Sequence, residues 1–455
     1  MFSRLLRTLL RQNRGLCTVV ATWVLSLPPV QAQTPAQARP KVTEITIATV
    51  NNGHMLTLQR LSRQYETAHP DIRLKWVTLE EGPLRQQVSR DIATGAGRFD
   101  ILTIGAYEAP IWGGKGWLKA LKPSMAYAVD DLLPGIRQTL SVKQSLYALP
   151  FYGESSMTMV RQDLLERAGV ALPRQPTWEQ IRQAAARLHD PERGVYGICL
   201  RGKPGWGENM TLLTTIVNAY GGQWFDMAWK PQLDSPPWHL ATNLYVDLLR
   251  RFGPPGAAAN GYNENLALFM DGRCAIWVDA TVAGAFVNRP GLSRVAGKVS
   301  FLQAPIGTTS KGSHWLWAWA LGIPSSSQKA AAAQGFIEWA TSRDYIQLVA
   351  RSEGWGAVPS GTRQSTYATP AFQKANAHAE IEREAIATAD PLDATLPKSP
   401  YVGVQFAAIP EFQGIGTAVG QVMAAQLQGP GDVAAALHKA QALSTRRMRE
   451  AGYLH

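Results

Sequence analysis

Hydrophobic and polar residues alternate in short blocks from residue 42 onward, and the spacing in each block predicts its secondary structure. A period of two predicts strands over 42–50 and 72–76, a short apolar run predicts a third strand over 99–104, and helical spacing predicts helices over 58–65 and 84–92. Asn51 and Asn52 lie in a turn that can cap the first helix. This order predicts a parallel α/β unit, in which ligands bind beyond the carboxyl ends of the strands.

The rest of the chain continues this mixture without internal repeats. The pattern predicts two extended segments within 147–160, on either side of Gly153, and further strands over 275–278 and 314–323. Helices are predicted over 162–168, from Thr177 onward, and over 209–220, 239–251, 264–271, 330–350, 419–427 and 433–448. The Pro/Gly-rich stretches 253–261 and 391–400 predict loops.

Residues 1–32 have the order of a secretory signal peptide. Four Arg and no acidic residue precede a 12-residue apolar run, Leu16–Leu27, which ends at two prolines. The small residues before Gln33 predict cleavage after Ala32. The run is short for a membrane span, which needs about 20 apolar residues. We therefore expect a periplasmic protein without stable membrane insertion, and an uncleaved anchor is the alternative.

Composition and charge narrow the class of protein. Hydrophobic residues make up 45% of the 455 residues and charged residues 17%, which is typical of a globular chain. The net charge of +11 hints at an anionic partner, but removal of the four Arg in residues 1–32 lowers it to +7. Because the remaining basic residues are scattered, without interleaved aromatics, we expect no nucleic-acid binding.

Three cysteines are too few for a disulfide scaffold. Two of them, Cys199 and Cys274, follow the predicted signal peptide. An oxidising compartment would permit one disulfide between them, but a sequence does not give the distance between their Cα atoms. Two buried free thiols are the expected state.

The familiar catalytic and cofactor motifs are missing. The sequence has no G-x-S-x-G, no Walker A motif, no H-E-x-x-H and no dinucleotide fingerprint, and its eight His are dispersed. We therefore expect no cofactor, no metal site and no catalytic residue.

Polar and aromatic residues instead cluster after predicted strands and before predicted helices. Aromatic faces suit the C–H side of a polyhydroxylated ligand, and carboxylates and amides suit its hydroxyls. Trp315, Trp317 and Trp319 share one face of a predicted strand. The candidate ligand-binding residues are Asn51, Asn52, Tyr107, Glu108, Tyr152, Glu154, Ser155, Trp206, Glu208, Asn209, Asp279, Thr281, Trp315, Trp317 and Trp355.

Two other interpretations of these clusters stay open. The tryptophans could be core residues and the acids helix caps. Alternatively, two of Glu108, Glu154, Glu208 and Asp279 could form the acid pair of a glycosidase, although nothing in their spacing selects a pair.

The chain resembles the family 1 extracellular solute-binding proteins of ABC transporters, and most closely their sorbitol/mannitol branch. The stretches that carry the resemblance are ITIATVNN (45–52), FDILTIGAYEAPIWGGKGWL (99–118), ALPFYGESS (148–156), GICLRGKPGWGENM (197–210), QWFDMAWKPQLDSP (223–236), WVDATVAG (277–284), HWLWAWALGIP (314–324) and GWGAVPSGTRQSTY (354–367). Cys274 lies where the family pattern has a small residue, which argues against a family-wide disulfide.

The resemblance implies an α/β, periplasmic-binding-protein type II fold, with two discontinuous α/β lobes around a ligand cleft. Lobe one is expected at 42–150 plus 279–325, and lobe two at 151–278 plus 326–455. A monomer is expected to bind a sugar alcohol between the lobes by hinge closure and to deliver it to the membrane permease subunits of an ABC importer. The alternatives are a binding protein for a mono- or oligosaccharide and a secreted carbohydrate-active enzyme.

Overall fold

A computed structural model describes residues 42–454, so the predicted signal peptide lies outside the described residues. Eleven strands occur in this part of the chain. The strands are β1 (Thr43–Val50), β2 (Ile72–Leu79), β3 (Ile101–Gly105), β4 (Ser141–Val142), β5 (Ser145–Leu146), β6 (Ala148–Glu154), β7 (Ser156–Arg161), β8 (Tyr196–Cys199), β9 (Cys274–Ala280), β10 (Val299–Gln303) and β11 (Trp317–Gly322).

Eighteen α-helices complete the described residues, together with short 3-10 turns. The helices are α1 (Gly53–Leu61), α2 (Arg63–Ala68), α3 (Glu81–Thr94), α4 (Glu108–Gly114), α5 (Pro134–Thr139), α6 (Gln162–Ala168), α7 (Trp178–Leu188), α8 (Asn209–Ala219), α9 (Pro236–Phe252), α10 (Tyr262–Met270), α11 (Gly284–Val287), α12 (Ala330–Ala340), α13 (Arg343–Glu353), α14 (Gln364–Tyr367), α15 (Pro370–Ala375), α16 (Ala379–Thr388), α17 (Phe412–Ala425) and α18 (Val433–Glu450). No helix within 42–454 combines the length and the apolar content that a membrane crossing requires.

The first sheet has the strand order β2-β1-β3-β11-β6. β1 pairs in parallel with β2 and β3, which confirms the predicted α/β unit, and β11 lies antiparallel between β3 and β6. β1 and β2 end side by side, with Val50 opposite Leu79. The polar residues that follow these strands, Asn51 and Glu80, therefore meet at one edge of the sheet.

The second sheet has the strand order β10-β7-β9-β8. β8 and β9 are parallel, and β7 is antiparallel to both of its neighbours. The chain passes from the first sheet to the second within a single residue, because β6 ends at Glu154 and β7 begins at Ser156. The predicted pair of extended segments is confirmed, with the break at Ser155 rather than at Gly153.

Two elements pack differently from the expected lobe boundaries. β10 belongs to the segment expected in lobe one, yet it pairs with β7 in the second sheet. α12 belongs to the segment expected in lobe two, yet its Phe336 packs against Tyr65 and Trp76 beside the first sheet, with ring centroids 5.2 and 6.0 Å apart. A hydrophobic pattern shows that an element is buried but not which sheet buries it.

The predicted long helix over 330–350 is two helices, α12 and α13. Ser342 stands between them, and its hydroxyl accepts a hydrogen bond from the backbone N–H of Tyr345 at 3.0 Å. At the start of a helix the first backbone N–H groups have no carbonyl of the same helix to bond, and this cap satisfies one of them. The apolar period hides the break because both helices bury residues against the same region.

The expectation of free thiols is wrong, because Cys199 and Cys274 form a disulfide. They lie on the neighbouring strands β8 and β9, with their Cα atoms 5.9 Å apart, within the range of bonded cysteines. They are 75 positions apart in sequence, with three α-helices between them, so only the strand pairing brings them together.

Candidate ligand-binding site

A cavity lies where the carboxyl ends of β1 and β2 meet the loops that follow β8. The space between its walls is about 680 Å³, a figure that includes the open mouth. Its lining consists of Val50, Asn51, Asn52, Glu80, Glu81, Arg85, Tyr152, Glu154, Arg201, Lys203, Trp206, Gly207, Glu208, Thr211, Tyr262, Asn263, Glu264, Val282, Trp315, Trp317, Trp319 and Gln405.

Eight of the fifteen candidate residues line this cavity. They are Asn51, Asn52, Tyr152, Glu154, Trp206, Glu208, Trp315 and Trp317. The seven that do not line it are Tyr107, Glu108, Ser155, Asn209, Asp279, Thr281 and Trp355. Most of these seven hold the lining residues or the adjoining backbone in position, as described below.

The aromatic wall comes from β11 and from the loop after β8. Trp317 and Trp319 point to the same face of β11, where they lie opposite Glu154 and Tyr152 of β6. The ring of Trp206 packs edge-on against Trp317, with centroids 5.9 Å apart. Trp317 also sits on Gly105, where a Cβ would lie 1.9 Å from its ring. A glycine is therefore required there for this ring position.

Arg85 lies over the aromatic wall. Its guanidinium carbon is 4.0 Å from the ring centroid of Trp206 and 4.9 Å from those of Trp317 and Trp319. Glu81, one helical turn earlier on α3, accepts hydrogen bonds from its Nε at 3.0 Å and its Nη2 at 2.9 Å. The faces of these three rings are thus in contact with a cation.

Glu108, a predicted ligand contact, is the buried partner of Arg85. Its Oε1 accepts a hydrogen bond from Arg85 Nη1, and its Oε2 accepts one from the backbone N–H of Gly105 at 2.9 Å. Tyr107 donates from its hydroxyl to the carbonyl of Ile409 at 2.8 Å. Both side chains therefore act behind the cavity wall.

Asp279 plays the corresponding part for Arg201. Its two carboxylate oxygens accept hydrogen bonds from Arg201 Nε and Nη2 at 2.6–3.1 Å, and its Oδ2 also accepts one from Trp277 Nε1 at 3.1 Å. Asp279 is 1% exposed, whereas Arg201 reaches the cavity. The predicted acid at the end of β9 therefore anchors an arginine that the sequence analysis missed.

Two carboxyl groups reach the cavity without an arginine of their own. Burial raises the pKa of Glu154 and that of Glu208 to about 8, in each case against the opposing effect of Arg201. Glu81 and Asp279 add like-charge repulsion to both. Oε2 of Glu208 lies 3.9 Å from Arg201 Nη1, too far for a hydrogen bond.

Amides and hydroxyls complete the edge at the ends of the first strands. Asn52 caps α1, where its Oδ1 accepts from Met55 N at 3.0 Å, as the sequence predicted. Its Nδ2 donates to the hydroxyl of Tyr152 at 2.9 Å, and Nδ2 of Asn51 donates to Glu80 Oε1 at 2.7 Å. The cap thus fixes one amide that faces the cavity.

Ser155, between β6 and β7, is hydrogen-bonded to Thr281, which follows β9. The backbone N–H of Ser155 donates to Thr281 Oγ1 at 3.2 Å, and the backbone N–H of Thr281 donates to the Ser155 carbonyl at 2.8 Å. Both residues are fully buried. Their role is to hold the passage between the sheets, beside the lining residue Glu154.

Asn209 and Trp355 have structural contacts. Asn209 accepts from Gly205 N at 3.1 Å and donates to the carbonyl of Gly420 at 2.9 Å, which fixes the loop that carries Trp206 and Glu208. The carbonyl of Trp355 accepts from Asn376 Nδ2 at 3.0 Å.

Comparison with known proteins identifies the family and the fold of this chain. Residues 51–347 match the family model for bacterial extracellular solute-binding proteins. The chain belongs to this family. The expected periplasmic-binding-protein type II fold is confirmed, and a maltose-bound MalE3 from T. maritima shares it with a TM-score of 0.75 at 20% identity, over 89% of this chain and 99% of that one.

Two relatives of this solute-binding protein are much closer. A mannitol-binding protein from Pseudomonas aeruginosa is 53% identical over 90% of this chain and 94% of its own length. An ABC transporter solute-binding protein from Agrobacterium vitis S4, crystallised with bound D-mannitol, is 52% identical, with a TM-score of 0.89 over 90% of this chain and 99% of that one.

Four buried polar atoms in the cavity lining have no hydrogen-bond partner among residues 42–454. They are Nε1 of Trp206, Oε2 of Glu208, the hydroxyl of Tyr262 and Nε1 of Trp315. Buried polar groups are almost always paired with protein, water or ligand, so these four atoms are available to hydrogen-bond a molecule in the cavity. In the part of the chain that the structure describes, no group of His, Cys, Asp and Glu could hold a metal ion.

Sequence reasoning missed the two arginines and Glu81 of this solute-binding protein. A signal existed for one pair, since Glu81 and Arg85 stand four residues apart at the start of a predicted helix. Such pairs are usually solvated, and nothing in the sequence indicated that tryptophans from distant segments would cover this one. Arg201 lies in the stretch GICLRG (197–202), but no acidic residue nearby in the sequence indicated its partner.

Proposed function

We propose that this solute-binding protein binds an acyclic sugar alcohol of the mannitol and sorbitol type and delivers it to the permease subunits of an ABC importer. The ligand named for the Pseudomonas aeruginosa and Agrobacterium vitis relatives supports this ligand class. The observation that carries the proposal is the unpaired polar lining. Two donors, Trp206 Nε1 and Trp315 Nε1, and the acceptor Glu208 Oε2 face one cavity.

The chemistry of a sugar alcohol fits this lining. Each of its carbons carries a hydroxyl, which both donates and accepts hydrogen bonds. Glu154 and Glu208 can accept from hydroxyls, and Arg201 can donate to them. Hydrogen bonds from the charged guanidinium of Arg201 to ligand oxygens are charge-assisted and are worth about 1.5–3 kcal/mol each. A ligand with many hydroxyls therefore suits a site with several charged groups of both signs.

We propose that the two lobes close over the ligand. Asn263 donates from Nδ2 to the carbonyl of Asn51 at 3.0 Å, which joins the α10 side of the cavity to the end of β1. A Cβ at Gly207 would lie 1.9 Å from Glu81 Oε1, so this glycine lets the loop after β8 approach α3. These contacts support a hinge at the passage from β6 to β7, with β10 in lobe two and α12 in lobe one.

The remaining proposals concern the protein's surroundings. We propose export to the periplasm, cleavage near Ala32, a monomeric state and no catalysis. N-terminal sequencing of exported protein should give a start near Gln33. Incubation with glycosides should give no turnover, and a glycosidase activity that Glu154→Ala abolishes would support the secreted enzyme instead.

Isothermal titration calorimetry with five ligands tests the ligand class. D-mannitol, sorbitol and arabitol should bind more tightly than glucose and maltose. Tighter binding of glucose or maltose would favour the mono- or oligosaccharide alternative. Any bound ligand is removed before titration by unfolding the protein in denaturant and refolding it after the denaturant is dialysed away.

A further inference from the structure

We infer that Arg85 determines specificity, because it occupies the tryptophan faces on which a sugar ring would otherwise stack. The inference rests on the proposed function, since it concerns the choice between acyclic and cyclic polyhydroxylated ligands at the same cavity. Arg85 itself lines the cavity, together with Trp206, Trp317 and Trp319.

The contacts of Arg85 show why its guanidinium holds this position. Glu81 and Glu108 accept hydrogen bonds from Nε, Nη1 and Nη2. Glu108 is 1% exposed and is fixed in turn by the backbone N–H of Gly105. An arginine held by two carboxylates and three rings cannot swing away without leaving Glu108 as an unpaired buried charge.

The covered rings decide what kind of ligand the cavity accepts. A pyranose ring has a broad C–H face, which binds best against an uncovered aromatic face. With the guanidinium 4.0–4.9 Å from three ring centroids, that surface is replaced by N–H groups. Three of the five N–H groups of Arg85 donate to carboxylates, which leaves two for ligand oxygens. An acyclic chain with a hydroxyl on every carbon can use these donors.

The test compares D-mannitol with methyl α-D-glucopyranoside by calorimetry, in the parent and in the double variant Arg85→Ala/Glu108→Gln. The second change removes the charge that the first would leave unpaired. We expect the ratio of mannitol affinity to pyranoside affinity to fall at least about tenfold, with measurable binding of the pyranoside. Arg90→Ala is the matched control, because Arg90 is exposed on the same helix and should leave the ratio unchanged.

Single variants keep the test decisive if the double variant does not fold. Arg85→Lys keeps a cation for Glu108 but loses the guanidinium that lies 4.0–4.9 Å from three ring centroids, so the ratio should fall in the same direction. Glu108→Gln, a change in a positioning residue, should lower the ratio less. In folded variants, a ratio within about twofold of the parent would overturn the inference, as would loss of mannitol binding without any gain of pyranoside binding.

The outcomes also separate this inference from the proposed function. A parent protein that binds none of the sugar alcohols contradicts the proposed function, yet a gain of pyranoside binding in the variants would still support the role of Arg85. A parent that binds mannitol and the pyranoside equally well keeps sugar-alcohol binding and overturns the role of Arg85.

Discussion

Two buried arginines face the same cavity, and their surroundings differ. Arg85 lies 4.0–4.9 Å from three tryptophan ring centroids, whereas the aromatic contacts of Arg201 are looser, at 5.4 Å from Tyr262 and 5.7 Å from Trp315. Arg201 instead holds Asp279 through both carboxylate oxygens.

The difference divides the cavity into two kinds of surface. On the Arg85 side, Glu81 and Glu108 accept hydrogen bonds from the arginine, and the arginine lies against the tryptophan rings. On the Arg201 side the arginine is held by an acid outside the cavity, and Glu154 and Glu208 remain available for a ligand. An acid buried in the cavity lining, such as Glu154 or Glu208, should therefore affect affinity, an exposed acid at the rim should not, and an acid behind an arginine should affect stability.

The largest expected effect follows from removal of the acid behind Arg201. Asp279→Ala leaves a fully buried guanidinium without its partner, which costs about 3–5 kcal/mol of unfolding free energy. Urea unfolding of the ligand-free protein measures this loss. A variant with unchanged stability and strongly weakened ligand binding would show instead that Asp279 contacts the ligand directly.

Asp247→Ala is the matched control for that experiment. Asp247 also pairs with an arginine, Arg251, but that arginine is 60% exposed on the surface of α9. Exposed pairs contribute about 0.2–1 kcal/mol, so the stability of this variant should stay within that range of the parent.

The next effect concerns the acids that line the cavity. Glu154→Ala and Glu208→Ala should each lower sugar-alcohol affinity at least about tenfold, or roughly 1.4 kcal/mol, because a ligand hydroxyl loses its hydrogen bond to a buried carboxyl group. Neither should destabilise the ligand-free protein, because a buried carboxyl without its own arginine is costly to keep charged. Calorimetry and urea unfolding of the same preparations measure both quantities.

Glu264→Ala gives the matched control at the cavity rim. Its side chain is 42% exposed and lies 3.7 Å from Lys203 Nζ. Rim charges contribute little to affinity, so binding should stay within about threefold of the parent. Equal losses for Glu154 and Glu264 would contradict the distinction between the floor and the rim.

The sequence predicted much of the fold and eight of the 22 residues that line the cavity, and the division has a physical cause. The parallel start of the first sheet, the Asn52 cap and the shared face of Trp317 and Trp319 follow from local periodicity. Trp315, predicted on the same strand face, lies before β11 and contacts Arg201 instead. By contrast, Arg85 packs on Trp206, which is 121 residues away in sequence, and on two tryptophans that are farther still. Arg201 pairs with Asp279, which is 78 residues away. Local spacing of residues carries no information about contacts between segments that are far apart in sequence.

A smaller effect appears in the pH dependence of stability. The pKa of Glu154 and of Glu208 is about 8 in the folded protein and near 4.5 when unfolded, so the folded state binds more protons between these values. Stability therefore falls as pH rises through this window. From pH 6.5 to 8 each of the two groups should contribute a fall of about 1–2 kcal/mol, since one pKa unit corresponds to about 1.4 kcal/mol.

Buried histidines act in the opposite direction at lower pH, which sets the range of the experiment. Burial lowers the pKa of His54 to about 3 and that of His314 to about 4, so stability falls as pH drops below about 6.5. Urea unfolding of parent and Glu154→Gln at pH 6.5, 7.2 and 8 isolates the carboxyl groups. Parallel pH profiles for the two proteins would contradict a raised pKa at Glu154.

The smallest expected effect separates the ring of Trp315 from its donor. Nε1 of Trp315 is buried without a partner among the described residues, at the side of the cavity where Arg201 leaves acceptors and donors free. Trp315→Phe keeps an aromatic face and removes this donor, so sugar-alcohol affinity should fall about two- to fivefold, or ~0.5–1 kcal/mol. The same change at Trp319, whose ring lies under the Arg85 guanidinium, should loosen that stack and lower selectivity for mannitol over the pyranoside. If both variants lose affinity equally for both ligands, the two sides of the cavity act alike and the comparison between the arginines fails.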